Sequence, residues 1–159
     1  MIRGRENGFT LFEICLAIMI GLLIVSISVP SIQGVIAERN LMESFERFDE
    51  LARKAQNRAV SERRTFVMIW EDQAVSVRPL EPGAEDRGVE MERMDLGEGE
   101  TLFIERPAAL EKKPDAQWAF WRSGLCEPAI VAYEGPAGTW KVEYNALTGR
   151  GTILEQNAK

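Results

Sequence analysis

Gly8-Phe9-Thr10-Leu11-Phe12-Glu13, followed by an apolar run that reaches Val29, decides how the rest of this chain is read. Between Phe9 and Ile32 the only charged residue is Glu13, and an apolar stretch of roughly 20 residues is what a helix needs to cross the hydrocarbon core of a bilayer. The sequence therefore predicts a transmembrane helix over residues 9–32. A charge at the bilayer centre costs about 2.5 kcal/mol or more and is retained where it has a partner. Taken alone, Glu13 reads equally as a carboxylate snorkelling to the membrane surface, and Gly8 as a flexible residue before a helix.

The offsets say more than any single residue. A glycine is followed by a large apolar residue, and a carboxylate stands at the fifth position counted from Phe9, with Arg3 and Arg5 on the short side. At this point the sequence resembles the class III signal of type IV pilins and type II secretion pseudopilins. Gly8, Phe9, Thr10, Leu11, Phe12 and Glu13 stand where that family has its glycine, methylated phenylalanine, three-residue spacer and glutamate. The resemblance implies that a prepilin peptidase cuts between Gly8 and Phe9 and methylates the new amine of Phe9. It also implies that Glu13 serves subunit assembly and that other pilins or pseudopilins are met through the N-terminal helix. The sequence departs from the pattern in the next turn, where Ile14-Cys15-Leu16-Ala17-Ile18 is wholly apolar.

Residues 1–8 read as a leader, and the arginines beside the apolar run place the N-terminus in the cytoplasm and the bulk of the chain across the inner membrane. A secretory signal peptide is the competing reading, since Ser26-Ile27-Ser28 is a small-x-small triplet after the apolar stretch. Glu13 would then sit early in the apolar region, and the helical pattern continues past Pro30. Gly21 and Pro30 would each weaken a soluble helix, and Pro30 predicts a bend or local melt.

The chain has 159 residues and a formal charge of -6, which leaves room for one folded head after leader and span. Loss of residues 1–8, with two arginines and one glutamate, would make it one unit more negative. A head this acidic repels phosphate backbones, so nucleic acid is not expected as a partner. There is no histidine, which removes the commonest general base and transition-metal ligand. Neither a phosphate-binding glycine loop nor a cluster of cysteine ligands is present, so no catalytic residue, metal or cofactor is expected. Cys15 in the apolar run and Cys126 in the head are too far apart in the expected layout to pair.

Over residues 33–64 the apolar period becomes helical and one-sided. Leu41, Phe45, Phe48, Ala52, Ala55 and Ala59 fall at spacings of three and four, one face of an amphipathic helix. The small residues at its end allow close approach to a sheet. Residues 65–159 then read as a β-rich head. Thr65–Trp70 and Ala74–Arg78 form a hairpin, Val89–Leu96 a weak edge strand, and Thr101–Glu105 a better one. Four further strands are expected over Gln117–Trp121, Ala129–Glu134, Thr139–Asn145 and Gly151–Leu154, joined as an antiparallel meander.

The predicted fold class is α+β: a long N-terminal helix, transmembrane then amphipathic, packed on a C-terminal antiparallel β-sheet head. Eight acidic residues between Glu81 and Glu100 suit either a divalent cation or a solvated edge that resists pairing, and no regular carboxylate spacing favours the cation. The turn at Ser123-Gly124, the Gly-containing hairpin and Asn145-Ala146-Leu147-Thr148-Gly149-Arg150 resemble the C-terminal domain of the H-type minor pseudopilins and of the related minor pilins called FimT. Thr148, Gly149 and Arg150 are the sharpest part, and a local turn explains them as well, with Gly149 supplying positive φ.

Three functions follow. The first is a minor pseudopilin of a type II secretion pseudopilus. A FimT-like minor pilin for pilus assembly or DNA uptake is the second, although after Trp121 the head offers only Arg122, Lys141, Arg150 and Lys159 as cations. The third is a secreted enzyme released after Ser28.

Overall fold

The computed structural model describes residues 10–83, 86, 92–105 and 117–159, the side chains of 27–33 excepted. The chain divides into two units, Met1–Ile36 and Ala37–Lys159. One helix, α1, spans Leu11–Ser61, 51 residues, and contributes to both. In the first unit Leu, Met and Ala of α1 sacrifice little rotamer freedom in a helix, and the helix continues through Pro30, without the local melt that was the alternative to a bend there. Among the described residues no helix is long and apolar enough to cross a membrane. The span expected over 9–32 reaches beyond them. Its described side chains stop at Ser26, short of the roughly 20 residues a crossing needs.

In the second unit the stripe on α1 is the floor on which the head is built. Leu41, Phe48, Ala52, Ala55 and Ala59 are all buried, while Phe45 is half-buried at the margin. Phe48 is the centre. Its ring lies parallel to Trp118 at 6.4 Å and meets Trp140 at 5.9 Å, Tyr144 at 6.1 Å and Trp70 at 6.2 Å. Ala52, Ala55 and Ala59 continue the buried stripe after Phe48 with small side chains. Two of the indoles around Phe48 are satisfied, Trp118 Nε1 donating to the Glu127 carbonyl at 2.7 Å and Trp140 Nε1 to Ser44 Oγ at 2.9 Å, whereas Trp70 Nε1 is buried with no hydrogen-bond partner among the described residues.

The strands are β1 (Phe66–Glu71), β2 (Ala74–Pro79), β3 (Arg93–Asp95), β4 (Thr101–Glu105), β5 (Gln117–Phe120), β6 (Ala129–Gly135), β7 (Gly138–Tyr144) and β8 (Gly151–Ala158). They form two four-stranded antiparallel sheets, ordered β3-β2-β1-β5 and β4-β6-β7-β8. The predicted hairpin is β1–β2, closed tightly with Glu71 opposite Ala74. Of the weak strand at 89–96, residues 93–95 form β3 at a sheet edge, and 89–91 lie outside the described residues.

The expected four-strand meander is wrong at its first member. β5 joins the other sheet, with Phe66 opposite Phe120 and Met68 opposite Trp118, and only β6-β7-β8 run as a meander. Burial is the reason. Trp118 and Phe120 are fully buried and their rings touch at 4.5 Å, which the Phe66 and Met68 side of the core accommodates. β6 takes β4 as its neighbour instead. β8 is also longer than predicted, because Glu155 to Ala158 continue the ladder with β7 past an irregularity at Lys141/Val142.

Candidate functional site

Three of the predicted residues belong to the N-terminal motif. Gly8 and Phe9 are outside the described residues; Glu13 is in the first helical turn. Its backbone N–H donates to Thr10 Oγ1 at 3.3 Å and to the Thr10 carbonyl at 3.0 Å. Thr10 is therefore the N-cap, and Thr10-Leu11-Phe12-Glu13 has the spacing of a capping box, a hydroxyl residue followed three positions later by a glutamate. Sequence reading missed this, although the pattern is visible there. A carboxylate at this position also suits the positive end of the helix dipole.

From Thr10 to Ser26 every residue is exposed. Leu11 and Phe12 are 81% and 76% exposed, and Ile18, Leu22 and Val25 each more than half. Cys15 is exposed among them as a free thiol. These side chains surround the helix, and a helix apolar on all faces persists where something covers it.

The remaining predicted residues lie in the head. Between β7 and β8 the chain turns through Asn145–Arg150, and the turn is closed by its own polar groups. The Gly149 N–H donates to the Asn145 carbonyl at 2.8 Å, and Asn145 Oδ1 accepts from the N–H groups of Leu147 at 2.9 Å and Thr148 at 3.2 Å. Thr148 Oγ1 accepts from the Arg150 N–H at 3.4 Å. Gly149 sits at φ +63, and a Cβ there would lie 2.5 Å from the Gln56 side-chain oxygen. Gln56 is fixed in turn, its Nε2 donating to the Gly124 carbonyl at 2.6 Å. One glutamine of α1 thus ties together the Ser123-Gly124 turn and the Thr148–Arg150 turn, the two places that carry the C-terminal resemblance.

Thr148, Gly149 and Arg150 form one wall of a recess of about 510 Å³ whose other wall is α1, with Phe45, Asp49, Arg53 and Asn57. Asp49 is buried and accepts from Arg53 Nε at 2.8 Å and from the Tyr144 hydroxyl at 3.3 Å. Burial and the neighbouring Asp49 carboxylate push the Tyr144 phenol well above its ordinary range, so it stays a donor. Nearby, burial and Glu127 push the Cys126 thiol up to about 11, leaving it an inert apolar group. The recess holds neither an activated nucleophile nor a free base.

Gly149→Ala is expected to destabilise the head by about 1–2 kcal/mol, from strain at positive φ and loss of the Gln56–Gly124 bond. The denaturation midpoint reads this directly. An unchanged midpoint would reduce the turn to a solvent loop.

The acidic stretch from 81 to 100 is only partly described. Four of its described carboxylates are taken by arginines: Asp86 by Arg64 at 2.6 Å, Glu92 by Arg58 at 2.9 Å, Asp95 by Arg93 at 2.6 Å and Glu100 by Arg47 at 3.5 Å. Burial opposes the charge on Glu100, but the Gly97 N–H, the Tyr133 hydroxyl and Arg47 together hold its carboxyl below the usual range. No group of acidic, cysteine or histidine side chains among the described residues is placed to hold a metal ion.

No protein-family profile matches the chain, and no curated protein sequence matches it. Solved structures do. The minor pseudopilin EpsH from the type II secretion system of Vibrio cholerae superposes with a TM-score of 0.53 at 15% identity, covering 77% of this chain and 98% of that one. The type IV minor pilin FimU of Pseudomonas aeruginosa gives 0.53 at 16% identity, covering 77% and 96%, and its second crystal form gives 0.52 over 74% and 97%. The likeness is one of fold: this chain has the pilin-like α+β architecture.

Proposed function

We propose that this protein is a minor pseudopilin, a structural subunit of a type II secretion pseudopilus, held in the inner membrane by its N-terminal helix before assembly, with its head in the periplasm. The observation that carries the reading is the first part of α1. Its apolar side chains are exposed on every face from Leu11 to Val25, and burying each is worth about 1.5–3 kcal/mol, so lipid or the helices of neighbouring subunits must cover them. The fold shared with EpsH supports the reading, and the fold shared with FimU supports equally a minor type IV pilin.

On this reading the chemistry is performed on the protein. Prepilin peptidase removes residues 1–8 at the bond between Gly8 and Phe9, and the amine of Phe9 is methylated. The partners are other pseudopilins or pilins, the peptidase and the membrane. Mass spectrometry of the mature chain is expected to find an N-methylated Phe9 terminus, and Gly8 replaced by a bulky residue should leave the leader attached. A mature chain beginning after Ser28 would make the protein a secreted one and end the proposal.

A further inference from the structure

The two sheets end on four edge strands, and three of them offer little backbone. β3 has three residues, β5 four and β4 five. β5 is also partly covered, by the Phe120–Cys126 bridge and by the Glu127 N–H donated to the Ala119 carbonyl. β8 is different. It is eight residues long, about 25 Å of strand, every residue after Gly151 is exposed, and no strand among the described residues pairs with its far side. A free edge presents a row of unpaired N–H and C=O groups, which proteins ordinarily blunt with lysine, proline, shortness or a bulge. Gly151–Ala158 contains neither lysine nor proline. Its one irregularity lies opposite Lys141/Val142 and leaves Leu154, 47% exposed, without a partner residue on β7.

The side-chain rows that end on this edge define what can lie beyond it. On the core side register runs Ile104, Val131, Val142, Ile153. The two valines are fully buried while Ile153 is 37% exposed, so an apolar row is cut off at β8. On the outer side the row is Phe103, Ala132, Lys141, Glu155. Lys141 is engaged by Glu105 at 2.9 Å, and Glu155 has no cation paired with it among the described residues. Glu143, opposite Thr152 in the next row, adds a second carboxylate to that side.

We infer that β8 takes an extended strand of a different polypeptide as its next neighbour, one that alternates an apolar side chain, laid beside Ile153, with a lysine or arginine, laid beside Glu155. In strand addition the main-chain ladder gives affinity and the alternate side chains give specificity. Opposite charges on directly facing positions favour the pair and like charges oppose it. A second copy of this chain fits less well, because Glu155 is the sole charge in Gly151–Ala158 and a copy of β8 laid full-length along it brings no cation. The inference stands on the sheet alone and is independent of the filament reading.

The test uses the full chain in uncharged detergent and a short fluorescent peptide that alternates valine and lysine. Binding should raise the peptide's anisotropy and slow hydrogen exchange of the backbone amides of Gly151–Ala158, leaving those of β3 and β4 unchanged. Glutamate in place of the peptide's lysines should weaken binding by about 5-fold, and Glu155→Lys in the protein should reverse that preference. N-methylation of every peptide amide removes the donors of the ladder while keeping the side chains, and should abolish binding. A valine–lysine peptide that does not bind, or one that still binds when N-methylated, overturns the inference. So does a charge preference indifferent to Glu155→Lys, or protection at β3 or β4 in place of β8. Protection of β8 that rises with protein concentration in the absence of peptide also overturns it, because a second copy then occupies the edge.

Discussion

Phe48→Ala is expected to lose about 3–5 kcal/mol of stability, most of what a small domain has. Phe48 is fully buried and is the one side chain on α1 whose ring reaches Trp70, Trp118, Trp140 and Tyr144 together, so its removal opens a cavity between the helix and both sheets. The aromatic rings around it cannot close that space by small shifts, since Trp118 and Trp140 are held by their indole hydrogen bonds. Phe45→Ala should cost less, roughly 1.5 kcal/mol, because Phe45 is half-buried and meets one ring, Trp140, edge-on at 5.7 Å. Denaturant unfolding of a soluble fragment beginning near Gln33 reads both. Equal losses for the two variants, or none for Phe48→Ala, would mean that the aromatic layer is not the core.

Glu13→Leu is expected to be inserted and cleaved but to fail to join a filament. On the proposed processing the new amine belongs to Phe9, four positions before Glu13 in the sequence, and in a low-dielectric bundle the carboxylate can neutralise that amine or a neighbour's, where an unpaired charge is costly. The capping geometry supplies a rival explanation that Leu cannot separate, since Thr10 and Glu13 also form the start of the helix. Glu13→Gln separates them. Glutamine serves the third position of a capping box as well as glutamate does, so a capping role predicts a functional Gln variant, while charge pairing predicts that Gln fails like Leu and that Glu13→Asp keeps part of the function on a shorter arm. Crosslinking between adjacent Phe9–Leu23 segments, for which the exposed Cys15 is a native reporter, measures assembly. Normal crosslinking and secretion in Glu13→Leu would leave Glu13 as a cap and a snorkelling surface residue.

The long helix and its two characters were legible in the sequence, because both are periodic and local. An unbroken apolar run and then a stripe at Leu41, Phe45, Phe48, Ala52, Ala55 and Ala59 need no distant residue to be recognised, and the structure buries all of that stripe but Phe45, which is half-buried. The turn at Thr148–Arg150 was legible as a turn for the same reason, as was the β1–β2 hairpin. The grouping of strands was not. β5 and β6 are consecutive and both apolar, and nothing within either says that Trp118 belongs beside Met68 while Val131 belongs beside Ile104 and Val142. That choice is made by side-chain volume around Phe48, residues far apart in sequence competing for the same space. The role of Gln56 was equally hidden: a polar residue in the middle of an amphipathic helix carries no mark of the Gly124 carbonyl it holds or of the Gly149 turn pressed against it. Sequence by itself determined the elements, their order and the apolar helix that must be covered; tertiary structure decided which strands share a sheet and which turns Gln56 meets, because those depend on packing between segments that meet only once the chain has folded.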